Sequence, residues 1–162
     1  MGKTASGAGL LDRLSNAMRI MACTGLAAMS LVTGADVAGR ALRHPVYGSD
    51  EIVALLAAMV TAFTLPYAYQ ARSHIAVDLA MSRMPARMRR AAAVFTHLLS
   101  LALFAVIAWR MFDYAVDQWR AGVLTMNLGL PEYGVITAVG FGFTVFALLI
   151  ARDVLCPSQR GR

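Results

Sequence analysis

Charge is what this chain of 162 residues has least of: Asp, Glu, Lys and Arg make up 15% of it, while 59% is hydrophobic. A soluble domain carries about a quarter charged residues. Four stretches lack a formal charge altogether: Ile20–Ala35, Ile52–Ala71, Ala91–Trp109 and Tyr133–Ala151. The pieces between them are too short to bury cores of their own, since domains below about 40 residues rarely stand alone. A soluble multidomain enzyme is therefore excluded. No Cys-x-x-Cys, His-Glu-x-x-His or glycine-rich phosphate loop is present, so neither catalysis nor a metal or cofactor has a visible carrier. There are only two cysteines, Cys23 and Cys156. Both fall near the same, inner face, where a reducing compartment disfavours a disulfide, and they read as apolar fillers.

What the chain does contain is length of apolar run. A helix rising about 1.5 Å per residue needs roughly 20 residues to cross about 30 Å of hydrocarbon. The last three runs fit at once. The first fits if its ends extend past Arg19 and Asp36. Lipid offers no partners to open backbone groups, so only helices or closed barrels cross it. Continuous rather than alternating apolarity selects helices. The expected fold is an all-α integral membrane protein, one domain over residues 1–162. It has four transmembrane helices, at about 17–37, 50–71, 89–111 and 132–152.

The net charge of +6 reads as membrane orientation rather than a nucleic-acid surface. Of the 15 Lys and Arg, 11 lie in the two termini and the central loop, against 4 in the other two loops. Basic residues stay on the cytoplasmic side, so both termini and the central loop are expected there. The start of the chain can also be read as a cleavable signal peptide, with "GADVAG" as its small-residue end. That reading leaves the central loop inside. "MGKTAS" fits a short, common myristoylation pattern.

The central loop, "YQARSHIAVDLAMSRMPARMRRAAAVF" from Tyr69 to Phe95, is dense in arginine and yet carries Val77, Met81, Met84 and Met88 at helical spacing. The spacing predicts a short amphipathic interfacial helix at about 74–83, apolar face on lipid and arginines toward anionic headgroups. The same stripe fits packing on a neighbouring protein helix. Pro85 suits the first turn of the next helix. Residues 1–12 are small and polar and are expected to be irregular. "LLDRLSNAMRI" reads as an amphipathic lead-in to the first run. In "GRALRHPVYGSDE", Pro45 and Gly48 break structure, Ser49 or Asp50 can cap the second helix, and Glu51 suits its first turn. Pro66 is expected to kink that helix. "RMFDYAVDQWRAGVLTMNLGLPEYG" reads as an outer loop, with Trp109, Tyr114 and Trp119 at an interface belt. Ser30, Gly34 and Ala38, and likewise Ala138 and Gly142, stand four apart as small residues that permit close helix contact.

Charged groups at membrane depth mark ion and substrate paths, and no run carries one in its middle. Asp36, Glu51, Arg110 and Arg152 all lie at run ends. The polar groups inside are His97 and nine hydroxyls, which can bond back to their own helices. The chain alone is therefore not expected to pump or carry ions. His97 and His74 could be axial ligands of a haem, as in a haem- or quinone-binding membrane anchor of a respiratory complex. Both lie near the inner face in adjacent segments, and His97 has no obvious carboxylate beside it. A self-assembling four-helix exporter would want a carboxylate inside a helix.

Several pieces, in order, carry a family resemblance: Arg40 after the first helix, "YGSDEIVALLAAMVTAFTLPYAY", "SHIAVDL", "MPARMRR" and "LGLPEYG". Together they span about residues 13 to 155. The chain resembles the small membrane (Q-type) subunit of tripartite ATP-independent periplasmic (TRAP) transporters. The family layout matches at Gly48, Glu51, His74, Asp78 and Pro131. After that proline the family often has Trp, where this chain has Glu132 and Tyr133. The resemblance implies no catalytic, metal or cofactor residues, and it makes Arg40, Gly48, Glu51, His74, Asp78 and Pro131 candidates for subunit-interface or structural roles. It implies a location in the bacterial inner membrane and two partners. A large (M-type) membrane subunit moves the solute on an ion gradient, usually sodium. A periplasmic solute-binding protein delivers it, often an organic acid. The small subunit widens the stationary scaffold and helps form the docking surface.

Overall fold

The structure is a computed structural model that describes residues 4–71 and 86–155. Four helices account for nearly all of them: α1 (Thr4–Ala41), α2 (Ser49–Gln70), α3 (Ala86–Ala121) and α4 (Glu132–Leu155). Each is long and apolar enough to cross a membrane. The expected interfacial helix at about 74–83 lies outside the described residues, as do His74 and Asp78.

The outer helices are longer than their charge-free runs. α1 has 38 residues and α3 has 36, about 57 and 54 Å at 1.5 Å per residue. Helix α1 already starts at Thr4, so the opening segment, expected to be irregular, is helical from there. The second departure matters more: Arg110 to Ala121, read above as loop, continues α3 for three further turns. Gly122, at φ 63°, ends it. Val123 N–H donates to the Gln118 carbonyl at 3.2 Å and Gly122 N–H to that of Trp119 at 3.2 Å, which closes the helix end. At the start of α2 the cap is Gly48, with no side-chain cap bond, rather than Ser49 or Asp50. Pro66 sits buried inside α2, which runs unbroken from Ser49 to Gln70.

The helices pack as a row. Helix α1 lies on α2, α2 on α4 and α4 on α3, while α1 and α4 touch only lightly. Chain order and spatial order differ, and α1 and α3 form the two edges. The buried centre joins Met18 and Ala22 of α1, Ala62 and Phe63 of α2, and Val145 and Leu149 of α4. A Cβ on Gly142 would meet the Ala62 Cβ at 3.0 Å and the Ala62 carbonyl oxygen at 3.0 Å. That glycine lets the α2 and α4 backbones approach, as the Ala138–Gly142 spacing suggested. Ser30, Gly34 and Ala38 do the opposite: they lie exposed on the free edge of α1. Between α3 and α4, Phe104 stacks near Phe143 at 5.9 Å and meets Phe146 edge-on at 4.5 Å.

Six of the hydroxyls within the spans bond back to the carbonyl four residues earlier: Thr24, Ser30, Thr61, Thr64, Thr137 and Thr144, at 2.7 to 3.1 Å. Their polarity is absorbed locally, as expected.

Candidate functional site: the clamp at the Glu51 end of the row

Four of the six residues singled out in the sequence meet at one end of the row. The α1–α2 turn is built on Asp36, which is 6% exposed. Its carboxylate accepts from Arg40 Nε at 2.7 Å and from the Val46 N–H at 3.0 Å. Arg40 Nη2 also approaches the Asp50 carboxylate at 3.9 Å. One carboxylate thus fixes the end of α1 and the chain that leaves it.

Glu51, in the first turn of α2, holds the other connection. Its two carboxylate oxygens accept the backbone N–H groups of Asn127 at 2.7 Å and Leu128 at 3.0 Å. A carboxylate receiving two backbone donors makes charge-assisted bonds, roughly twice as strong as neutral ones. The α3–α4 loop is already folded on itself to receive it. Thr125 N–H donates to the Leu130 carbonyl at 2.9 Å and Gly129 N–H to the Thr125 carbonyl at 3.2 Å. Leu130 N–H donates to the Thr125 hydroxyl at 3.0 Å. Leu124 and Pro131 pair across the loop mouth, which gives Pro131 its place.

Gly48 completes the contact. It has φ 72°, a left-handed conformation that disfavours a side chain. A Cβ there would also lie 2.5 Å from Leu128 Cγ. The glycine therefore serves twice, as the turn before α2 and as the floor on which Leu128 sits.

Arg40, Gly48, Glu51 and Pro131 are thus brought into one assembly, and sequence reading missed three of its members. Asp36 could have been found from its spacing four residues before Arg40. Leu128 and Thr125 carry no such local sign, because their partners lie elsewhere in the chain or in the loop's own shape.

The opposite end of the row is tied by a second polar group. Asp12 of α1 accepts from Gln70 of α2 at 3.0 Å and from Arg152 of α4 at 2.9 Å. Arg152 also faces Asp153 at 3.7 Å, and Arg19 lies over the Tyr67 ring at 4.9 Å. His97, weighed above as a haem ligand, packs edge-on against Tyr69 at 6.5 Å. Among the described residues, no group of three His, Cys, Asp or Glu side chains is placed to hold a metal ion.

Helices of spanning length, with polar groups tying their ends together, define a multi-pass membrane protein. The family model of the DctQ component of tripartite ATP-independent periplasmic transporters matches residues 29–160. The chain belongs to that family. It is 26% identical over 157 residues to the ectoine TRAP transporter small permease protein TeaB of Halomonas elongata, covering 90% of this chain and 81% of the relative. No solved structure matches the chain.

Proposed function

We propose that this subunit is a stationary scaffold in the bacterial inner membrane for a large M-type subunit. That partner performs ion-driven uptake, with sodium as the expected ion. A periplasmic binding protein delivers a small solute, an organic acid being the family's usual cargo. Ectoine, named for the relative, is a second candidate. Both termini and residues 72–90 face the cytoplasm, which puts the Glu51 clamp on the periplasmic side. The observation that carries this reading is the open row. A self-contained carrier closes its helices around a path, whereas this chain packs its helices side by side in a row and leaves both edges bare. Such a shape is completed by a neighbour.

Proteoliposomes holding this chain alone should show no ion-driven uptake, and those holding it with its large subunit and binding protein should. Uptake by the lone chain would refute the scaffold role. In the same preparations His74→Ala and Asp78→Asn test whether this pair, four residues apart, sets the angle at which the central loop meets the large subunit. Each single change should lower recovery of the large subunit, with the double no worse than the poorer single. Normal recovery in the double variant would rule that role out.

A further inference from the structure

The two edges of the row differ in what they ask of their surroundings. On the free edge of α1 stand Leu26, Ser30, Leu31 and Gly34, all exposed. No charge lies between Arg19 and Asp36, and the Ser30 hydroxyl is satisfied by the Leu26 carbonyl at 3.1 Å. Lipid can cover that edge.

The edge formed by α3 is different. Ala108 and Ala115 are buried on its α4 side. On the opposite side stand Leu99, Leu103, Val106, Arg110, Asp113 and Asp117, all exposed. Their spacings alternate four, three, four, three, four, which is one continuous helix face. The stripe is apolar in its first half and ionic in its second. Arg110 Nη1 and the Asp113 carboxylate pair at 2.8 Å, with side chains 72% and 48% exposed.

Register fixes the depth of that ionic half. The Met111 Cβ lies 3.1 Å from where a Cβ on Gly140 would stand. Gly140 is seven residues past Tyr133, where the charge-free run of α4 begins, or about 10 Å inside that run. With the hydrocarbon boundary set at the start of that run, Arg110 stands about 10 Å inside it and Asp113 one turn nearer its surface. Helix α2 agrees, since Ala62, well within its own charge-free run, lies beside Gly142. Tilting the row to lift Arg110 to the headgroups would also lift Tyr133–Gly140 of α4 out of the hydrocarbon. The remainder of that run would be too short to cross. Ionised side chains at such depth face protein or water-filled space rather than lipid.

We propose that this face of α3 is where the large membrane subunit packs. The partner is a membrane helix, apolar at the level of Leu99 to Val106 and polar at the level of Arg110 to Asp117. The assignment rests on the scaffold reading above and adds to it which edge of the row is covered, and by what chemistry.

The test uses the full chain, tagged and co-expressed with the large subunit of its own transporter, with a photoreactive amino acid placed singly at Leu103, Val106, Leu26 or Leu31. Irradiation should join Leu103 and Val106 to the large subunit and leave Leu26 and Leu31 unjoined. Cross-linking from α1 but not α3 would overturn the assignment while leaving the scaffold role standing. So would a product at Val106 consisting of two copies of this chain. If the large subunit fails to co-purify with the unsubstituted chain, the scaffold reading itself falls and takes this assignment with it. As a second measurement, Arg110→Leu with Asp113→Leu should reduce recovery of the large subunit while the chain still inserts. Undiminished recovery would mean that the face meets lipid, and the assignment would be wrong.

Discussion

Gly48 is asked for two things at once, and the two can be separated. Any side chain there meets the left-handed φ of 72°, which costs an L-residue about 1–2 kcal/mol, and it also meets Leu128. Gly48→Ala should therefore lower the melting temperature in detergent. Adding Leu128→Ala removes the collision and leaves the backbone cost. The pair should be less damaging than the sum of the two single changes, as for residues in direct contact. Full additivity would show that Leu128 does not rest on Gly48. Glu51→Ala releases the N–H groups of residues 127 and 128, so limited proteolysis should cut the α3–α4 loop faster. Glu51→Gln, which keeps one acceptor oxygen, should fall between it and the parent. These partners are 76 and 77 residues apart in the chain, and no local pattern announces them. By contrast Asp36 and Arg40 sit one helical turn apart, a spacing that sequence can offer directly.

The helices themselves were readable because charge-free length and a bilayer's thickness leave so few alternatives. Their ends were not. Arg110, Asp113, Asp117 and Arg120 read as an outer loop if charge marks the end of a span. Their spacing of three, four and three was the helical signal, and it continued the stripe of Leu99, Leu103 and Val106. Small residues four apart gave the same sign twice with opposite outcomes, since spacing cannot say which side has a neighbour. Gly142 faces the Ala62 backbone, whereas a Cβ on Gly34 would meet nothing within 4 Å. Gly142→Leu should thus force α2 from α4 and cost the order of an overpacked core, about 1–3 kcal/mol. Gly34→Leu should leave melting in detergent unchanged. Equal losses from the two would contradict the order of the row.

Orientation belongs to the molecule as a unit, because all four spans share one assignment. Of the 15 basic residues, 11 lie in the termini and central loop, the asymmetry behind the proposal that these parts face inside. Cysteines put singly at Gly48 and Gly122, in a chain with Cys23 and Cys156 replaced, should react with a membrane-impermeant reagent from outside, and one at Ser82 should not. Reaction at Ser82 with protection at Gly48 would invert the model. The two ends of the row are tied differently. At one end the Glu51 carboxylate grips a loop backbone. At the other end Asp12 gathers side chains from α2 and α4.

The order of the row has a consequence for biosynthesis. Helix α3 is joined to the others mainly through α4, yet α4 is translated after it. The α1–α2 hairpin can insert and pack while the rest is still being made. Helix α3 must then wait, with Arg110 and Asp113 already committed to the membrane and nothing of its own chain beside it. Only when α4 leaves the ribosome and settles between α2 and α3 does the second half join the first. A nascent chain stalled before Glu132 would hold a finished hairpin and an orphan helix, the state in which quality control has most to recognise.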